Sequence, residues 1–185
     1  RMHHAFIFHG REGVGKCTTA EALGRVLLCH AATESDAATA CGQCASCRLA
    51  AGAGHPDLHL VTKEMACFSS DPDIRKRKLI AFPVRVIEER VVEAATRSPA
   101  MHHGKVFIID EADLLNHEGQ NMLLKTLEEP PAGTHLVLVT SREEDLLPTI
   151  RSRCQRVAFA PLDDGTVNAW LDRQPEAPDA DARVW

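Results

Sequence analysis

At 185 residues the chain is long enough for one substantial α/β domain plus a fragment of a second, and 44% hydrophobic with 25% charged residues is a globular composition. A formal net charge of −5 argues against a protein that coats nucleic acid through bulk electrostatics. No apolar stretch approaches the roughly 18 residues that cross a bilayer, so no membrane partner is expected.

Arg1 lies almost against the first predicted strand, which points to an excised domain or fragment. No secretory leader is recognisable, so a reducing, intracellular setting is expected. Ala5–Phe8 is a short apolar run that reads as a buried strand. It leads into Gly10-Arg11-Glu12-Gly13-Val14-Gly15-Lys16-Cys17, which fits the phosphate-loop pattern G-x-x-x-x-G-K-[ST] at every fixed position but the last. Gly10, Gly13 and Gly15 permit a tight path on which backbone N–H groups form an anion nest. Lys16 carries charge to the β and γ phosphates, and the following helix aims its positive end at them. Ala20, Leu23, Leu27 and Leu28 recur at helical spacing behind the loop.

The residues expected to bind ATP or ADP are therefore Gly10, Gly13, Val14, Gly15, Lys16, Cys17 and Thr18. Cys17 replaces a hydroxyl that normally ligates Mg²⁺, a hard cation that prefers oxygen to a soft thiol. Thr18 does not simply substitute, because the next helical residue points about 100° around the axis. Nucleotide binding is expected and efficient Mg²⁺-dependent hydrolysis is disfavoured, unless water completes the metal shell.

Cys29, Cys41, Cys44 and Cys47 follow the spacing C-x11-C-x2-C-x2-C. Four thiolates complete a tetrahedron about 2.3 Å from Zn²⁺ with no open position, the signature of a structural site. A reducing setting favours metal over disulfides. Cys29 ends the first helix, so the metal would staple an insertion, residues 29–54, back onto it. Free cysteines are the rival reading, with His30 and His55 as weaker ligand candidates. Arg48 is the one Lys or Arg between Cys29 and His55, which argues against a nucleic-acid-binding finger. Cys67 and Cys154 stand outside the cluster, Cys154 as a buried thiol.

Leu58–Val61 reads as a second strand. The basic run Arg75-Lys76-Arg77-Lys78 reads as a solvated loop in preference to a phosphate contact. A helix is predicted over 84–97, with Val84, Ile87, Val91 and Ala95 on one face. Val106–Ile109 is a strand apolar on both faces, as central parallel strands are. A helix over 117–129 is ended by Pro130-Pro131, and 136–139 and 157–159 are the remaining strands. Strands alternating with helices imply an α/β fold, a parallel sheet with helices on both faces. Residues 174–181, rich in Pro, Ala and Asp, read as linker.

Asp110 and Glu111 follow the apolar strand directly, at the carboxyl edge that lines the ligand crevice in such sheets. Asp110 is expected to hold Mg²⁺ through water, and Glu111 to orient and deprotonate an attacking water. Asp113 reads as an N-cap. Thr140-Ser141 ends the next strand, as turn residues or as a hydroxyl near a γ-phosphate. Arg153, in Ser152-Arg153-Cys154, falls just before the last strand. It reads as a surface arginine or as a guanidinium supplied in trans to a neighbouring site.

Asn121-Met-Leu-Leu-Lys-Thr-Leu-Glu-Glu-Pro-Pro131, Ser152-Arg153-Cys154 and cysteines inserted after the first helix together resemble the AAA+ subunits of bacterial DNA polymerase III clamp loaders, over roughly residues 3–162. The resemblance implies a P-loop AAA+ nucleotide-binding domain over 1–160 with a zinc-binding insertion after the first helix. It implies the start of a truncated lid domain over 161–185, the rest of the lid and the oligomerising collar being missing, so the fragment alone should assemble poorly. It implies that Ser141 reads the γ-phosphate and that Arg153 acts in trans on a neighbour's ATP. Gly54–Leu60 and Leu146–Cys154 resemble the δ′ branch, a stator that offers its arginine, more than the γ/τ ATPase motor branch, whose acidic, alanine-rich segment after the zinc module is absent. The implied partners are γ/τ and δ subunits, and through them the sliding clamp and primer-template DNA, in the bacterial cytoplasm. Arg85 and Lys125 are candidate contacts to DNA phosphates.

Overall fold

A strand buried on both faces needs apolar residues at every position, because successive side chains point to opposite sides. Lys105–Ile109 (β3) is buried at all five positions, and Ala5–His9 (β1) at all but the last. The computed structural model describes residues 3–31, 39–68, 82–101 and 103–172. In it these strands sit inside a five-stranded parallel sheet of order β2-β3-β4-β1-β5. Thr134–Thr140 (β4) lies between β3 and β1, while Leu58–Val61 (β2) and Gln155–Ala158 (β5) form the edges.

One face of the sheet offers Phe6, Phe8, Val106, Ile108, Val137 and Val139 to Ala20, Leu23 and Leu27 of Lys16–Leu27 (α1). The other offers Ile7, Phe107, Ile109, Leu136 and Leu138 to a helical rod over 84–96 and to His117–Glu128 (α5). Helices therefore cover both faces, as the alternating pattern requires.

The rod is Val84–Ile87 (α3), a π-helical segment Glu88–Val92, and Glu93–Thr96 (α4). Ile87, Val91 and Ala95 are buried as predicted, but Val84 is only half-buried and Val86 joins the core. The wider π turn accounts for this, since it resets the phase of the stripe. The Lys105 ammonium is buried and caps the rod's last carbonyls, donating to Ala94 O at 2.6 Å, Ala95 O at 2.9 Å and Arg97 O.

Asp113 is not an N-cap. Asn116 caps α5, its side chain accepting from the Gly119 N–H at 2.8 Å, and Asp113 lies in a short 3-10 turn, Ala112–Leu114. The last strand starts at Gln155, two residues before the predicted 157, and ends at Ala158. Ala45–Ala51 (α2), Pro148–Arg151 (α6) and a 3-10 segment, Lys63–Phe68, carry no periodic apolar pattern. Asp164–Leu171 (α7) lies at the start of the stretch 161–185 and is capped by Asp163, which accepts from the Thr166 N–H at 3.0 Å and hydroxyl at 2.6 Å. The basic run 75–78 and the tail from 174 lie outside the described residues. Among those described, no helix is long and apolar enough to cross a membrane.

Candidate functional site

The phosphate-type loop starts where β1 meets the end of β5. The Phe159 N–H donates to His9 O at 2.8 Å, and a Cβ on Gly10 would stand 2.3 Å from Phe159 O. Only glycine fits there. Gly15, at φ 85°, then turns the chain into α1. Lys16 is 7% exposed, its ammonium donating to Gly10 O at 2.8 Å and Arg11 O at 2.7 Å, so it lies across its own loop.

A cleft of about 740 Å³ opens at the carboxyl ends of β3 and β4 beside this loop. Gly13, Gly15, Lys16, Cys17 and Thr18 line one side of it. Asp110, Glu111 and Ser141 line the other. The sequence motifs from either side of the sheet thus converge, at the position where open α/β sheets bind ligands. Gly10 and Val14 belong to the loop without lining the cleft, and Arg153 stands apart from it.

The Cys17 thiol is half-buried and hydrogen-bonded to Asp110. Burial, then the Asp110 and Glu21 charges, push its pKa up to about 12, so the group is a neutral thiol at ordinary pH. It offers the cleft neither a hard oxygen nor a thiolate. Asp110 also accepts from the Glu111 N–H at 3.0 Å.

Glu111 is held in the left-handed region at φ 50°, ψ 44°, a strained setting for a non-glycine residue. Its carboxylate is paired at 2.8 Å with Lys63 Nζ, and this hydrogen bond raises the lysine's pKa. Lys63 belongs to none of the motifs legible in the sequence. Its position just past the carboxyl end of β2, on the same rim as Asp110 and Ser141, was the available signal.

Asp113 organises the β4 rim. Its carboxylate accepts from the Thr140 hydroxyl at 2.8 Å, the Ser141 N–H at 3.4 Å and the Arg142 guanidinium at 3.1 Å. Burial alone would raise its pKa, but these donors outweigh burial and the net shift is downward. With the Thr140 hydroxyl committed to Asp113, Ser141 is the residue of the pair whose side chain is left for the cleft.

Arg153 follows α6 and turns toward the end of α5. Its guanidinium pairs with Glu128 at 2.6 Å and donates to Thr149 O at 2.9 Å, with the side chain 36% exposed. Arg85 is held by Glu88 at 2.7 Å and Glu89 at 2.8 Å, so as a phosphate contact it is already matched by carboxylates.

The four sulfurs of Cys29, Cys41, Cys44 and Cys47 lie within 4.8 Å of one another. Backbone N–H groups aim at three of them, Cys41 N–H at Cys29 Sγ, Cys44 N–H at Cys41 Sγ and Cys47 N–H at Cys44 Sγ, each at 3.4 Å. The Cys47 N–H draws the Cys44 thiol down to about 6, whereas burial pushes Cys47 up. All seven cysteines are free. The cluster can hold a metal ion, and its closed all-sulfur donor set fits a structural one.

Behind the cluster runs a buried chain of polar groups that the sequence did not reveal. The Ser46 hydroxyl donates to Leu28 O at 2.6 Å and accepts from His55 Nε2 at 2.9 Å, while His55 Nδ1 accepts from the Asp57 N–H at 3.0 Å. The Asp57 carboxylate accepts from the N–H groups of Ala100 and Met101, each at 2.8 Å. Both ring nitrogens of His55 are therefore engaged, which removes it as a metal ligand. His30 stacks on His103 with centroids 4.1 Å apart.

The sheet order, the loop after β1 and the carboxylates after β3 define a domain with the P-loop AAA+ fold. Solved structures agree on the fold. A DNA polymerase III gamma subunit-related protein from Thermotoga maritima matches at TM-score 0.53 and 18% identity over 92% of this chain and 44% of that one. A RuvB mutant from the same organism matches at 0.54 and 16% over 93% and 43%.

The chain belongs to the family described as DNA polymerase III, delta subunit, whose model matches residues 1–163. It is 33% identical to DNA polymerase III subunit delta′ of Bacillus subtilis over 96% of its own length and 48% of the relative's. The corresponding figures for subunit delta′ of Escherichia coli are 35%, 94% and 47%. Subunit gamma/tau of Mycobacterium tuberculosis is 33% identical over 94% of this chain and 27% of that protein. The chain thus spans about half the length of the delta′ relatives it matches.

Proposed function

We propose that this chain is the nucleotide-binding portion of a δ′-like clamp-loader subunit, a stator that donates Arg153 to the ATP site of a neighbouring subunit and so helps load a sliding clamp onto primed DNA. The observation that carries this reading is Arg153 itself. It stands outside its own cleft, on a rim, with a guanidinium free to exchange Glu128 for a partner's phosphate charge. The implied partners are γ/τ and δ subunits in a bacterial cytoplasm. Residues 161–185 are taken as the start of a lid that follows the domain over 1–160.

In its own cleft the chain is proposed to bind ATP or ADP through Gly10, Gly13, Val14, Gly15, Lys16 and Thr18, with Ser141 near the γ-phosphate. Asp110 would hold Mg²⁺ and Glu111 a water, yet Cys17 removes the usual hydroxyl ligand and Lys63 holds Glu111 aside. Turnover here is expected to be slow. Zn²⁺ is the ion proposed for Cys29, Cys41, Cys44 and Cys47, where it would fix the 29–54 insertion to the end of α1.

The test is ATP turnover by the full-length protein assembled with its partner subunits. Arg153→Ala should lower turnover about a thousandfold at the site it serves, on the scale of an arginine finger. Unchanged turnover would sink the stator reading. The second reading, a γ/τ-type motor, is favoured by the intact Lys16, Asp110 and Glu111 and by the gamma/tau relatives. Lys16→Ala and Cys17→Thr separate the two. A motor loses activity with the first and gains little from the second. A stator is indifferent to the first and gains a new activity from the second.

A further inference from the structure

The β2 edge of the sheet carries a second cleft, of about 460 Å³, lined by none of the residues that line the first. All five consecutive residues Leu58–Thr62 line it, so the strand edge itself is its floor. The register with β3 fixes which peptide groups face outward. Val106 N–H donates to Asp57 O and Asp110 N–H to Val61 O, so the peptides of His59 and Val61 serve the ladder. Those of Leu58, Leu60 and Thr62 point away from it. Among the described residues, no group bonds the outward N–H or C=O of Leu60. Sheet edges of this kind invite an added strand unless something blunts them.

Two arginines flank the edge from opposite sides of the sheet. Arg25 rises from α1, 3.7 Å from the Glu21 carboxylate, with its Nε buried and unpartnered. Arg90 comes from the π-helical segment, and its one hydrogen bond among the described residues is to Phe68 O at 3.5 Å. The lining between them mixes apolar Ala50, Ala53 and Met65 with His55 and His59, and an incoming carboxylate at Arg25 competes with Glu21. Consecutive side chains of an added strand alternate between the two sides. Carboxylates an odd number of residues apart would reach one arginine each.

We propose that this cleft docks an extended acidic segment of a partner protein, which adds to β2 as an edge strand with its carboxylates on Arg25 and Arg90. Main-chain pairing to Leu60 supplies the grip, and the two guanidiniums supply the preference for acid.

The test uses the full-length protein and a fluorescein-labelled octapeptide of valine and threonine carrying two glutamates three residues apart. Anisotropy should report binding, about tenfold weaker for the doubly reversed Arg25→Glu/Arg90→Glu protein. The same peptide with lysines should fail to bind. Both arginines are partly exposed, so unchanged melting of the variant is expected, and Arg25→Gln/Arg90→Gln serves if the reversal destabilises. Hydrogen exchange at the Leu60 and Thr62 amides should slow when peptide is added. Equal binding of the lysine peptide, or binding that leaves the Leu60 amide unprotected, overturns the proposal. So does a Leu60 amide already slow in the free protein, which means the chain covers its own edge, or one that slows with protein concentration alone, which means a second copy does.

Discussion

Cys17 and Lys63 act on adjacent carboxylates, Asp110 and Glu111. The thiol bonds Asp110, and the ammonium takes Glu111 at 2.8 Å while the glutamate's backbone sits in a strained left-handed turn. An ammonium that close occupies the carboxylate oxygen and holds Glu111 away from the water it would otherwise deprotonate. Restoring the hydroxyl at residue 17 alone should therefore leave part of the block in place. Cys17→Thr/Lys63→Ala should turn over ATP about tenfold faster than Cys17→Thr, read as phosphate release by the full-length protein. Equal rates would mean that Lys63 holds no brake. Of these two residues one was legible and the other was not. Cys17 breaks a local pattern whose other positions are intact, and the break is visible in eight letters. Lys63 meets Glu111 across a separation of 48 residues, and only the sheet register brings them together.

Among the elements, the central strands were legible because burial on both faces leaves an uninterrupted apolar run, as at Val106–Ile109. The π-helical turn was not, since it changes the phase of a stripe without changing which residue types compose it. Nor was the role of His55, which depends on Ser46 and Leu28 arriving from the other side of the cysteine cluster. The result is a polar bolt between α2 and β2, and it carries a pH dependence. Burial, only partly offset by the Asp57 charge, holds the His55 pKa below its ordinary value, and burial does the same to His59 and His135. All three are neutral in the native protein, while the unfolded chain takes up protons near pH 6.5. Stability should hold above about pH 6.5 and fall as the pH drops below it, through the lowered native values. Melting temperatures between about pH 7.5 and about pH 5.5 measure this. His55→Ala should cost about 2 kcal/mol at the upper pH by stripping Ser46 and the Asp57 N–H of their partner, and should make the slope shallower. A slope identical to wild type would show that His55 stays outside the titration.

For the molecule as a whole, the two ends with chemistry share one seam. β1 delivers the phosphate loop and β5 follows the segment bearing Arg153, and the two strands pair from Phe6–Gln155 to His9–Ala158. The seam closes where Gly10 passes Phe159 so tightly that a Cβ would meet the carbonyl oxygen at 2.3 Å. His9 and Arg156 both bind Glu143, at 3.1 and 2.8 Å, and tie the same seam to the loop after β4. A change at Gly10 should thus reach beyond the nucleotide. Gly10→Ala must push the loop and the β5 exit apart, at about 1–3 kcal/mol of stability. It should impair the proposed nucleotide binding in this chain and also lower the turnover that Arg153 is proposed to support in a neighbour. Lys16→Ala removes the proposed phosphate contact and one hydrogen bond to Gly10 O, but leaves the Gly10–Phe159 approach unaltered, so it should abolish the first and spare the second. Measuring ATP binding by the full-length protein alone, and turnover by its assembly, gives both readouts for each variant. If Gly10→Ala lowers binding but leaves assembly turnover intact, the loop and the arginine are mechanically independent. A stator built on this fold could then lose its own nucleotide site freely. If both fall together, the glycines must be kept for the arginine's sake even where hydrolysis is lost. That would explain why the loop here retains Gly10, Gly13 and Gly15 beside a cysteine that ill suits Mg²⁺.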